Sequence, residues 1–193
     1  MKGDTPTVAP TAMDYSTLES NYNTDGQSIL EKEGSALNYL ANKETNTCAI
    51  RMSECLNASG YPIPKSQDTP ADVRVQNGNS KDNGNYILDA KSMSNYLNDI
   101  EAPTYKFTSL QTNKDIADAI AKIHTSDDMK GIMVLTAGDQ KAYGATGHVD
   151  LIYEDWGWDL SIYSHSAFDD LDDYLMLNKD VKFTLEVWVL EKD

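Results

Sequence analysis

The chain has 193 residues, 40% of them hydrophobic, with 16 Lys+Arg against 31 Asp+Glu and a formal net charge of −15. That is enough apolar content to bury a core, so a disordered chain is excluded. Nucleic acid binding is disfavoured, because displacing counterions from phosphates needs a basic surface. No apolar run is long enough to cross a membrane, and the N-terminus, MKGDTPTVAPTAMD, lacks the apolar centre of a signal peptide.

Residues 1–14 read as a loose tail, and residues 15–193 as one domain. DYSTLESNY begins a helix. After it, Gly26 and Gly34 punctuate a short apolar segment, SALNYLA. NTCAIRMSECLNASG follows and carries both cysteines of the chain. Cys48, Met52, Cys55 and Leu56 share one helical face, with Thr47 or Asn46 as the N-cap and Gly60 as the stop before Pro62 and Pro64. Seven residues of helix rise about 10 Å, too far for a disulfide, so both thiols are expected to be free.

Residues 65–84 are polar and rich in Asn, Asp and Gly, and are expected to form a long loop. YILDA leads into SMSNYLNDI, where Met93, Tyr96, Leu97 and Ile100 mark an amphipathic helix ending before Pro103. NKDIADAIAKI forms another, with Ile116, Ile120 and Ile123 inward. From residue 131 the period changes. GIMVLTAG reads as a buried strand and TGHVDLIYE as an alternating one. DWG is a turn, and DLSIYSHSAF is the return strand of a hairpin. FDDLDDYL reads as a loop or short helix. KFTLEVWVLE closes the chain as a strand with Phe183, Leu185, Val187 and Val189 on one face. Helices first and antiparallel strands after predict an α+β fold, with helices on one face of a sheet.

Cys55, in mid-helix on the apolar face, reads as core. Cys48, at the helix start, reads either as core or as a nucleophile. A thiol attacks as thiolate, which a helix N-terminus and a nearby imidazole both favour. The chain has three histidines. His124 ends a helix and reads as a surface cap. His148 opens a strand after Gly147 and is the candidate base. His165 lies on the return strand.

NTCAIRMSECLNASGYPIP, followed by TGHVDLIYE, resembles the fourth family of type VI secretion amidase effectors. The resemblance implies a papain-like fold of the NlpC type, with Cys48 as nucleophile, His148 as base and Asp159, in WGWDLS, orienting the imidazole. Asp150 lies two residues from His148 on the same face, but is expected to be badly placed to hold the ring from behind. His165 is a further choice of orienter, and Asp150 and Asp159 read equally as solvated acids. The resemblance further implies hydrolysis of the γ-D-glutamyl–meso-diaminopimelate bond in peptidoglycan stem peptides, with no metal or organic cofactor. It implies synthesis in the bacterial cytoplasm, delivery to a rival's periplasm and a cognate immunity protein as partner, with no membrane insertion. The alternatives are another papain-like thiol hydrolase or acyltransferase, or a non-catalytic cell-wall binding module.

Overall fold

The computed structural model describes residues 13–33, 37, 47–65, 68–77, 84–123, 129–139, 146–154, 160–162 and 181–192. Helices α1 (Tyr15–Asn21), α2 (Gly26–Glu33) and α3 (Cys48–Ala58) come first, then strands β1 (Val75–Asn77) and β2 (Asn85–Ile87). Helix α4 (Ala90–Ile100), strand β3 (Tyr105–Leu110) and helix α5 (Asn113–Ile123) follow. Strands β4 (Met129–Ala137), β5 (Gly147–Glu154), β6 (Leu160–Ile162) and β7 (Phe183–Lys192) complete the order. The main sheet runs β3-β7-β4-β5-β6 with antiparallel pairing throughout, and β1 and β2 form a separate two-stranded ribbon. The fold is α+β.

Strand period two sorts the main sheet into two faces. Ile132, Val134, Val149, Leu151 and Trp188 join Tyr15 and Leu18 of α1, Cys48, Met52 and Cys55 of α3, and Met93 and Leu97 of α4 in one cluster. The alternate residues Met133, Leu135, Ile152, Leu185 and Val187 join Ala119 and Ile123 of α5 and Leu110 of β3 in another. Helices therefore cover both faces, which corrects the expectation of one covered face. The reason lies in β4, whose residues are buried from Gly131 to Ala137 without alternation. A strand buried on both sides needs a layer on each.

Several local expectations hold. Met93, Tyr96 and Leu97 of α4 are buried, as are Phe183, Leu185 and Val187 of β7. Helix α3 ends at Ala58, and Gly60 follows it with φ +85°, a left-handed stop that glycine adopts without strain. The Tyr61 N–H reaches back to the Leu56 carbonyl at 2.9 Å, completing the stop. The return strand of the hairpin is present as β6, with Ile162 opposite Ile152. Other expectations fail. Helix α2 and strand β3 were not legible, and part of the supposed loop, residues 75–77, pairs as β1. Gly26 begins α2, because its missing Cβ lets the helix start close against the Thr47 side chain. The tail to residue 12, most of SALNYLA, Trp156, Trp158 and FDDLDDYL lie outside the described residues.

Candidate active site

Cys48 is the first residue of α3 and Thr47 its N-cap. Of the two expected caps, the Thr47 side chain makes no capping hydrogen bond and Asn46 lies outside the described residues; the Thr47 carbonyl accepts from the Arg51 N–H at 2.8 Å. The first N–H groups of a helix have no intrahelical partner, and the thiol sits among them. Buried Ser53 anchors the helix, accepting the Ile87 N–H of β2 at 2.9 Å and donating to the Ala49 carbonyl at 2.7 Å. On its other side, Ile50 packs with Ile29 and Leu30 of α2.

His148 is the second residue of β5, paired opposite Leu135 of β4. Gly147 before it has φ +146°, and a Cβ there would lie 1.8 Å from the Leu135 carbonyl oxygen. Only glycine lets β5 enter the sheet this tightly, and that entry fixes where the imidazole leaves the strand. The helix packs against β5, which brings the two predicted residues together. The Cys48 side chain is hydrogen-bonded to the His148 ring. Cys48 is 2% exposed and His148 5%.

A carboxylate completes the constellation, and it is Asp150. Its Oδ2 lies 3.1 Å from His148 Nε2, which leaves Nδ1 as the ring nitrogen open to the thiol. Its Oδ1 accepts the Leu151 N–H at 3.0 Å. The expectation that a residue two along the strand is badly placed to hold the ring is thus corrected. Two residues of strand advance about 7 Å, but both side chains stand on one face and lean together. Burial pulls the His148 pKa down. The hydrogen bonds and charges of Asp150 and Cys48 outweigh it and raise the group to about 9. Asp159, His165 and His124 lie outside the described residues.

Arg51 and Tyr22 surround Asp150, and sequence reasoning singled out neither. The Arg51 guanidinium approaches Asp150 Oδ2 at 3.7 Å and lies 5.7 Å from the centre of the Tyr22 ring. Burial, and the negative charge of Asp150 beside it, push the Tyr22 phenol well above its ordinary value, against the pull of Arg51. A signal for Arg51 was available: it stands three residues after Cys48, one turn along the same helix. Cys55 is fully buried and hydrogen-bonded to the Leu18 carbonyl at 3.2 Å, and burial pushes its thiol up to about 12. It is core, as expected. Neither cysteine is in a disulfide, as expected.

Fold and site together define an α+β protein built around a buried thiol–imidazole–carboxylate constellation. The sequence profile of type VI secretion system amidase effector protein 4, Tae4, matches residues 44–174, a span that holds Cys48, His148 and Asp150. The chain belongs to this family. No curated protein matches it. Among solved structures it is similar to the type VI effector Tae4 from Enterobacter cloacae, at 21% identity and TM-score 0.60, covering 94% of this chain and 98% of that one. It is also similar to the effector Tae4 from Salmonella typhimurium in complex with the immunity protein Tai4 from Enterobacter cloacae, at 24% identity and TM-score 0.57, covering 92% and 96%. A third similar structure is the Tae4/Tai4 effector–immunity system from Salmonella typhimurium, at 22% identity and TM-score 0.54, covering 92% and 95%. At these identities the likeness is one of fold.

Proposed function

We propose that this chain is a peptidoglycan amidase of papain-like, NlpC-type fold, its catalytic domain spanning residues 15–193. It cuts the γ-D-glutamyl–meso-diaminopimelate bond of stem peptides with Cys48 as nucleophile and His148 as base. The observation that carries this reading is the hydrogen bond between the Cys48 side chain at a helix start and a histidine whose other nitrogen faces a carboxylate. His148 takes the thiol proton, and the thiolate attacks the γ-carbonyl. Backbone N–H groups at the start of α3, including that of Cys48, hold the oxyanion. The imidazolium protonates the leaving amine. Water then cleaves the thioester with His148 as base, which frees the acid and restores the thiol.

Two carboxylates compete for the orienting role: Asp159, which the resemblance implies, and Asp150, which is in contact with the ring. The protein is made in the cytoplasm and delivered to a rival's periplasm, and a cognate immunity protein blocks its cleft. The Tae4–Tai4 complexes of the similar structures support that partner.

The test is digestion of purified sacculi with mass analysis of the fragments. Cys48→Ala should fold and release no disaccharide-linked dipeptide; retained cleavage would move the nucleophile elsewhere. Asp150→Asn and Asp159→Asn are compared for kcat in the same assay. The larger loss, up to about 10⁴-fold, marks the orienter. The near-complete burial of the pair favours one other reading, a non-catalytic module. Iodoacetamide mapping decides it, since a Cys48 as unreactive as Cys55 would remove the enzyme reading.

A further inference from the structure

We propose that Arg51 is a positioning residue, whose guanidinium holds Asp150 against the His148 ring and thereby fixes the ring toward Cys48. This rests on the reading of Cys48 and His148 as nucleophile and base.

Arg51 is buried at 8% exposure, and Asp150 is fully buried. One arm of the guanidinium, Nη2, stands 3.7 Å from Asp150 Oδ2, the same oxygen that meets His148 Nε2. The other arm, Nη1, donates to the Thr24 carbonyl at 3.3 Å. The plane is backed by the Tyr22 ring. The fork is thus fixed at its far end by backbone and on one face by an aromatic ring, and its near end is aimed at the carboxylate. Arg51 Nε, also buried, has no hydrogen-bond partner among the described residues.

A guanidinium taken out of water with one N–H unsatisfied is a costly way to fill space. An apolar side chain of similar volume is often the more stable choice. What an apolar residue cannot supply is a fixed positive charge beside a buried carboxylate whose other cation, among the described residues, is an imidazole that must give its proton away. With Arg51 present, Asp150 stays compensated while His148 passes a proton to the leaving amine. Among the described residues, the titratable groups around His148 and Asp150 come from three elements. Cys48, Arg51 and Cys55 come from α3, Tyr22 from the end of α1, and Asp150 from β5 itself. From β4, the residues opposite His148 and Asp150 are Leu135 and Met133, which do not titrate.

The experiment uses the full chain as Arg51→Met and Arg51→Lys, with kcat and KM on soluble stem-peptide fragments. The His148 titration is followed by NMR of the imidazole in a Cys48→Ala background. Arg51→Met should lower kcat by at least about tenfold, with KM within about twofold. It should also move the His148 midpoint upward, because a repelling charge is gone and Asp150 serves the ring alone. Arg51→Lys keeps the charge without the fork, so it should hold the midpoint near the parent value and recover part of kcat. A folded Arg51→Met with the parent midpoint and kcat, and only a lower melting temperature, would show a packing role and overturn the proposal. If Arg51→Met does not fold, Arg51→Lys decides alone: unchanged kcat with the fork lost would overturn it. The titration needs no turnover, so it reports on Arg51 even if sacculus digestion removes the amidase reading.

Discussion

At the scale of single residues, the protonation of His148 has a measurable signature in stability. The folded imidazole holds its proton to about pH 9, against an ordinary value of 6.5. Where that proton comes from solvent rather than from the Cys48 thiol, the folded chain binds between those limits one proton that the unfolded chain has lost. The stabilisation is therefore complete below about pH 6.5 and drains away as pH rises through about 9, by at most about 1.4 kcal/mol per pH unit. We expect the urea midpoint to fall across this window and His148→Gln to flatten the fall; an equal slope in both proteins would place the responsible group elsewhere. Residue type and position marked Cys48 and His148 as candidates in the sequence, and the family resemblance favoured nucleophile over core for Cys48. The Asp150 contact was not, because strand spacing alone suggests that two residues on one face are too far apart. Side-chain direction, which spacing does not report, closes the gap. Arg51 was invisible for a related reason: its partner lies 99 positions away, and the pairing exists only once α3 packs on β5.

At the scale of elements, a buried carboxylate ties three of them together. Glu186 of β7 is 1% exposed. It accepts from Ser94 of α4, from Asn98 of α4 at 3.1 Å and from Lys106 of β3 at 2.6 Å. Burial works to raise its pKa, and these three donors lower it below the ordinary value. The charge-assisted bonds hold α4 over the sheet and pin β3 to β7 in the register Lys106 opposite Glu186. Glu186→Ala leaves two side-chain donors of α4 without their acceptor, while half-exposed Lys106 turns to solvent. The expected loss is about 1–3 kcal/mol, read as a lower urea midpoint with little change in slope; an unchanged midpoint would make the cluster incidental. Strongly periodic elements were readable, α4 from Met93, Tyr96 and Leu97 and β7 from Phe183, Leu185 and Val187. Strand β3 was not. Its exposure alternates between intermediate and exposed only as far as Thr108, its register with β7 shifts between Phe107 and Leu110, and Ser109 has φ +62°. An edge strand with little to bury writes little into its sequence.

At the scale of the whole molecule, the order of helices before strands conveyed the α+β class, but not how many faces of the sheet are covered. That depends on α5, which precedes β4 in the chain yet packs with the face opposite α3 and α4. No helix among the described residues is long and apolar enough to cross a membrane. The net charge of −15 acts on encounters rather than on the fold. If the proposed immunity protein presents a basic face, association should slow steeply as salt is added while dissociation changes little. Stopped-flow mixing across a salt series measures this, and a rate indifferent to salt would mean that contact chemistry alone selects the partner.

The seclusion of Cys48, 2% exposed with His148 at 5%, reaches into how this sulfur meets oxidants. Peroxide oxidises a thiolate it can touch, so damage, like the alkylation and substrate attack proposed above, proceeds through molecules in which the site has opened. Inactivation should then climb with peroxide dose and level off at the opening rate. A chain exposed to an oxidising compartment keeps its sulfur reduced for as long as it stays closed.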